Sequence, residues 1–192
     1  KSFLRRLVRR GLLKSAPLNS SSVYYYLTDK AFTLLGEPCR RTGALSPQPL
    51  VRALGILEFC IGTSKRTKLT RHQFRAAFPE LAHRGLPTSN FFLDESSGAT
   101  RLGPIYVECS ASIDFIVRKL ERRFMPRFIE SDSWRREVLD TGRFVFAVVT
   151  PSETKSKHLR AALDDHLSGP WAAFGCFIEA APNLLKILDR QR

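Results

Sequence analysis

Arg5, Arg6, Arg9 and Arg10 stand in Ser2-Phe-Leu-Arg-Arg-Leu-Val-Arg-Arg-Gly-Leu-Leu13, a spacing that admits little other than a helix with one basic face. Residues four apart lie one turn apart, so Arg5/Arg9 and Arg6/Arg10 form a basic quadrilateral while Leu4, Leu7 and Val8 turn inward. Gly11 is a natural C-terminal stop. Two short β-prone runs follow, Leu12-Leu-Lys14 and Val23-Tyr-Tyr-Tyr-Leu27, joined by the polar stretch Ser15 to Ser22. Thr28 is placed to cap a helix from Asp29 to Leu35, with Gly36 after it. Helix, two-stranded wing and capped helix make the second half of a winged helix-turn-helix, whose reading helix enters the major groove while the wing touches the neighbouring backbone or minor groove.

This reading selects candidate DNA contacts: Arg5, Arg6, Arg9 and Arg10 on the helix, Lys14, Asn19, Ser20 and Tyr24 on the wing, and Lys30 beyond it. Tyr24, Tyr25 and Tyr26 alternate across their strand, so one or two pack in the wing and at most one offers a hydroxyl to DNA. The charge distribution agrees. The chain carries 31 Lys and Arg against 18 Asp and Glu, a net +13. Residues 1 to 43 alone hold nine basic and two acidic side chains, more than half of that excess. Such a field draws polyanions by counterion release. A second basic cluster lies at Lys65, Arg66, Lys68 and Arg71, with Arg75 close behind.

Other chemistries lack their residues. Four cysteines, at 39, 60, 109 and 176, are too scattered for a metal cluster, and the four histidines form no HxxxH pair. Cys60 and Cys176 lie in apolar runs, as buried reduced thiols do. There is no Walker loop, GxGxxG or GxSxG. No run approaches the roughly 20 apolar residues of a membrane span, and arginine pairs interrupt what a signal peptide would keep apolar. A cytoplasmic, nucleoid-associated protein is expected.

Glu37 to Pro49 concentrates proline, glycine and charge and marks a boundary, giving a winged-helix domain over 1–43 and a mixed α/β domain over 44–192. A length of 192 residues with 43% hydrophobic content suffices for a core in the larger domain. The pattern predicts a helix over Leu50 to Ile61 and a short strand near Thr67 to Thr70. A β-hairpin follows, from Asn90-Phe-Phe-Leu-Asp94 to Pro104-Ile-Tyr-Val-Glu-Cys109. A helix capped by Ser110 or Ser112 should run to Phe124, burying Ile113, Ile116, Leu120 and Phe124. A buried strand at Phe144 to Thr150, a helix around Lys155 to Leu167, a strand over Phe174 to Ile178 and a closing helix through Leu184 to Leu188 complete the domain. Its strand-helix-strand crossovers call for parallel later strands. The fold class is α+β.

The chain resembles the replication-relaxation proteins of bacterial plasmids and mobile elements. The resemblance rests on Leu4-Arg-Arg-Leu-Val-Arg-Arg-Gly-Leu-Leu13, on Tyr25-Tyr-Leu-Thr-Asp-Lys-Ala-Phe-Thr-Leu-Leu-Gly36, and on Ile105-Tyr-Val-Glu-Cys-Ser110 with the helix holding Lys119. It implies a winged helix followed by a domain like the restriction endonucleases, with duplex DNA as partner. Other replication or mobilisation proteins, or a second copy of the chain, are further partners it allows. A complete winged helix has two more helices before the reading helix, so the one expected here is N-terminally incomplete.

Nucleases of that fold bind a divalent metal such as magnesium through an acidic residue on one hairpin strand and an E-x-K set on the next. Glu108 fits the second strand, but Ser110 stands where lysine is wanted. If Asn90 pairs with Glu108, Asp94 lies opposite Pro104, roughly 13 Å from Glu108 along the sheet and too far to share a metal. Ser89 or Asn90 would then face Glu108 without negative charge. Lys119 is the remaining catalytic candidate. The expectation is a non-catalytic DNA-binding protein needing no cofactor. The alternatives are a magnesium-dependent endonuclease or nicking accessory built on Glu108 and Lys119, and a structural subunit of a nucleoprotein complex.

Overall fold

The computed structural model describes residues 2–36, 43–79, 90–124, 141–166 and 175–188. The chain divides into two compact units, one formed by Lys1–Leu50 with Lys186–Arg192 and the other by Val51–Leu185.

In the first unit, helix α1 (Ser2–Arg9) leads into strands β1 (Leu13–Pro17) and β2 (Val23–Leu27), and helix α2 (Asp29–Leu35) follows. The strands pair antiparallel from Leu13↔Leu27 to Pro17↔Val23, which leaves a polar tip from Leu18 to Ser22. Both helices stop on a glycine. Gly11 has φ +70° and Gly36 φ +66°, a conformation that costs an L side chain about 1 kcal/mol or more.

Helix α3 (Pro47–Ile61) is followed by β3 (Arg66–Leu69), α4 (Arg71–Ala77) and the hairpin of β4 (Phe91–Asp94) and β5 (Arg101–Val107). Next come α5 (Ile113–Lys119), a π-helical continuation (Leu120–Phe124), β6 (Val145–Thr150), α6 (Glu153–His166) and β7 (Gly175–Ala180). A 3-10 turn (Pro182–Leu184) and α7 (Leu185–Leu188) end the described chain. Ser112, not Ser110, caps α5, its hydroxyl accepting from the Phe115 N–H.

The five strands form one mixed sheet in the order β3-β4-β5-β6-β7. The first two pairings are antiparallel, and β5-β6 and β6-β7 are parallel, as crossovers through α5 and α6 require. Every residue of β6 is buried, because this strand lies inside the sheet with apolar layers on both faces. On one face Phe91, Leu102, Phe144, Phe146, Val148 and Ile178 pack with Phe74 of α4, Ile116 and Val117 of α5, and Leu159 and Leu163 of α6. Each large side chain so buried contributes roughly 1.5–3 kcal/mol. On the other face Phe59 of α3 meets Phe92 edge-on, ring centroids 4.9 Å apart. Gly103 permits the close approach of β5 and β6: a Cβ there would sit 1.5 Å from the Val145 carbonyl oxygen.

The hairpin register corrects the sequence reading. Phe91 lies opposite Pro104 and Asp94 opposite Arg101, and Asn90 accepts from the Ile105 N–H. Asn90 therefore falls three residues short of Glu108, and Ser89 lies outside the described residues. Seven residues, roughly 23 Å, separate Glu108 from the position opposite Asp94. The second strand is also displaced, from Pro104–Cys109 to Arg101–Val107, so Glu108 stands just past its end. Its cause is the turn between Asp94 and Arg101, closed by Gly98 at φ +80° and clasped by the opposite charges at its base.

Candidate functional site

The arginine face is displayed by a helix fixed at its C-terminus. Gly11 N–H donates to the Val8 carbonyl and Leu12 N–H to the Leu7 carbonyl, the paired bonds of a Schellman turn. The Thr28 hydroxyl donates to the Gly11 carbonyl at 2.6 Å and accepts from the Ala31 N–H at 3.3 Å, so one side chain ties the end of α1 to the start of α2. Lys30 Nζ donates to the Arg10 carbonyl at 3.1 Å. This candidate DNA contact also neutralises the negative end of α1. Arg5, Arg6, Arg9 and Arg10 are all exposed. Leu7 and Val8 are half-buried, whereas Leu4 is 38% exposed and Phe3 59%. The inward stripe is thus confined to the last turn, which the chain reversal at Gly11 holds in place.

On the wing, Lys14 is exposed opposite Tyr26. Asn19 accepts from both the backbone N–H and the hydroxyl of Ser21, which orders the tip around the exposed Ser20. The Tyr24 hydroxyl accepts from the Leu45 N–H at 2.7 Å, while Tyr25, 39% exposed, points the other way. Tyr24 therefore has a structural bond of its own, and Tyr25 is the tyrosine more open to a ligand. Replacing Thr28 by valine keeps the shape and deletes the hydroxyl's bonds to the Gly11 and Leu12 carbonyls and from the Ala31 N–H, a loss of about 1–2 kcal/mol to this unit. Hydrogen exchange at the Ala31 amide is expected to quicken about tenfold, and unchanged protection would contradict the assigned role.

The second basic cluster is only partly a surface. Lys65, Lys68 and Arg71 are exposed, but Arg66 is turned inward with 9% of its side chain accessible. Its guanidinium lies 4.2 Å from the Phe59 ring centroid and 4.7 Å from that of Phe177. It pairs with Glu179 at 2.6 Å and, more loosely, with Asp94 at 3.6 Å. Arg66 is thus removed from the proposed patch, because two carboxylates distant in sequence satisfy it inside the fold. Asp94, fully buried, also accepts from Arg101 and from Ser96. Burial alone would push its carboxyl up, but the Ser96 and Arg101 hydrogen bonds and the charges of Arg101 and Arg66 outweigh this and hold it below the ordinary value.

Glu108 and Lys119, the two catalytic candidates, do come together. Lys119 Nζ is 3.8 Å from Glu108 Oε2 and 4.4 Å from the Tyr106 ring centroid. The Tyr106 hydroxyl donates to Glu108 at 3.0 Å, and the Ala111 N–H donates at 3.3 Å. Lys155, on the first turn of α6, donates to the Cys109 and Ala111 carbonyls. Tyr106 and Lys155 were not singled out from sequence. Tyr106 had a signal, since residues two apart on a strand share a face, but Lys155 arrives only through the crossover.

This corner is a carboxylate already supplied with donors and a cation. Among the described residues no group of three His, Cys, Asp or Glu side chains could hold a metal ion. One carboxylate facing a lysine ammonium does not fit magnesium, which favours several anionic oxygens. Cys109 is no nucleophile either: burial and the neighbouring Glu108 push its thiol up to about 11, against the lowering effect of Lys155. Burial likewise pushes Cys176 up to about 12.

Comparison of the chain with protein-family models, curated proteins and solved structures returns no match.

Proposed function

We propose that this chain is a DNA-binding protein of a bacterial plasmid or mobile element, acting in replication, mobilisation or its regulation. It reads duplex DNA through a winged helix. Its second unit, a degenerate domain of the restriction-endonuclease kind, serves as a further DNA or protein platform. The observation that carries the reading is the set of four exposed arginines on a helix whose end is locked to a hydrogen-bonded wing. Some of these arginines grip phosphates and one or two reach guanine edges. The helix-hairpin-helix-strand-helix-strand order and the mixed sheet support the assignment of the second unit. No described helix is long and apolar enough to cross a membrane.

Selection of bound duplexes from a random pool tests the proposal. The intact chain should enrich a sequence, and changing Arg6 and Arg9 to alanine should abolish the enrichment. Recovery of the same sequence by the double variant would sink it.

A second reading, a metal-dependent endonuclease or nicking accessory, draws its support from the Glu108–Lys119 approach. Plasmid cleavage with magnesium or manganese, abolished by Glu108→Ala, would establish it over the first. A purely structural subunit would bind no DNA in isolation.

A further inference from the structure

Beyond the DNA reading and independent of it, we propose that the free edge of β3 and the groove beside it take an extended acidic peptide, which adds a strand to the sheet. Among the described residues β3 pairs with β4 alone, so its other edge is open. The direction of its polar groups follows from the ladder. The Glu95 N–H donates to the Lys65 carbonyl, which makes Lys65/Glu95 a hydrogen-bonded pair and sets the alternation. Thr67 and Leu69 therefore spend their backbone groups on β4, while Lys68 turns its N–H and carbonyl outward. That edge is a template for main-chain pairing.

Side chains on either side of the edge define the partner's pattern. On the α4 side lies an open groove of about 560 Å³. Its floor is apolar, formed by Leu69, Leu93, Ala76 and Ala77, and Lys65 and His72 stand among its polar lining with one carboxylate, Glu95. On the opposite face of the strand Lys68 is exposed, and Arg71 and Arg75 are exposed on α4. A strand laid along β3 points alternate residues to each side. An apolar residue suits the groove and an acidic one suits Lys68, so the pattern read by this edge is alternating aliphatic and acidic. Single-stranded nucleic acid suits it less well, because the floor is aliphatic and His72 is the one ring among the groove's lining residues.

The test uses the intact chain and a fluorescein-labelled peptide of about seven residues alternating Val and Glu. Saturable binding by fluorescence anisotropy is expected, and a Val-Gln analogue should bind about fivefold more weakly. Lys68→Pro removes the outward N–H, which an edge strand tolerates, together with the ammonium, and should weaken the peptide by more than about tenfold. Lys68→Gln removes the charge while sparing the backbone and should weaken it about fivefold. No binding of the Val-Glu peptide, equal binding of the analogue, or indifference to both Lys68 variants overturns the proposal. So does a loss of duplex-DNA affinity in those variants with peptide binding intact.

Discussion

Changing Arg6 and Arg9 together to alanine is expected to lower the affinity of the intact chain for duplex DNA about a hundredfold near physiological salt. Each exposed arginine of α1 is worth about one contact of 1–1.5 kcal/mol, and 1.4 kcal/mol is a factor of ten. The loss is electrostatic and local. Alanine is the strongest helix former, so α1 is kept, and the bonds that hold its end involve Gly11, Leu12 and Thr28 instead. The salt dependence should also become shallower by about 0.9 for each of the two that grips a phosphate. Arg118, exposed on α5, supplies the comparison, and its alanine variant should lower the affinity far less than the Arg6/Arg9 change does. An Arg6/Arg9 variant that binds DNA normally by fluorescence anisotropy would remove α1 from the interface.

Asp94→Ala is expected to cost the second unit about 3–5 kcal/mol, the penalty for breaking a buried charge cluster from one side. Asp94 is fully buried between Arg66 and Arg101, and both guanidinium groups lie against the ring of Phe177. Without that carboxylate, Arg66 keeps Glu179, the Phe59 carbonyl and its two ring contacts, and Arg101 keeps the Ser96 hydroxyl and the Phe177 ring. Because the folded carboxyl sits below its ordinary value, its stabilising contribution is present above that value and is lost as pH falls through the folded one. Urea midpoints should therefore decline below about pH 4 in the unaltered chain, and more gently in Asp94→Asn. A midpoint that is flat between about pH 5 and pH 3, or an alanine variant as stable as its parent, contradicts the clamp.

What sequence could show tracks how local each cause is. Gly11 and Gly36, and Thr28 as a helix cap, act within a turn of themselves, and the helices they bound fall where the residues imply. Strand identity was equally readable from the apolar runs at Phe91 and Val145. Hairpin register was not, because it depends on a turn whose two ends carry opposite charge. Asp94 opposite Arg101 is a cross-strand pair that would have fixed it, had charge been weighed beside hydrophobicity.

Arg66 shows a second limit. In a linear run with Lys65 and Lys68 it has the look of a surface charge, yet it lies on the face of β3 opposite Lys65, where Asp94 and Glu179 await it. Glu108 and Lys119 illustrate the reverse case. They are eleven residues apart and separated by a capped helix start, and the fold turns Lys119 back to within 3.8 Å of the carboxylate. That closeness supplies Glu108 with an ammonium rather than a second oxygen ligand.

The central claim is an electrostatic docking of α1 and the wing on duplex DNA. Its most direct test is the affinity of the intact chain for a duplex across a range of salt concentrations. If about five phosphates are neutralised, the logarithm of the association constant should fall against the logarithm of salt with a slope near −4.5. Weak binding with a slope near zero would contradict the account.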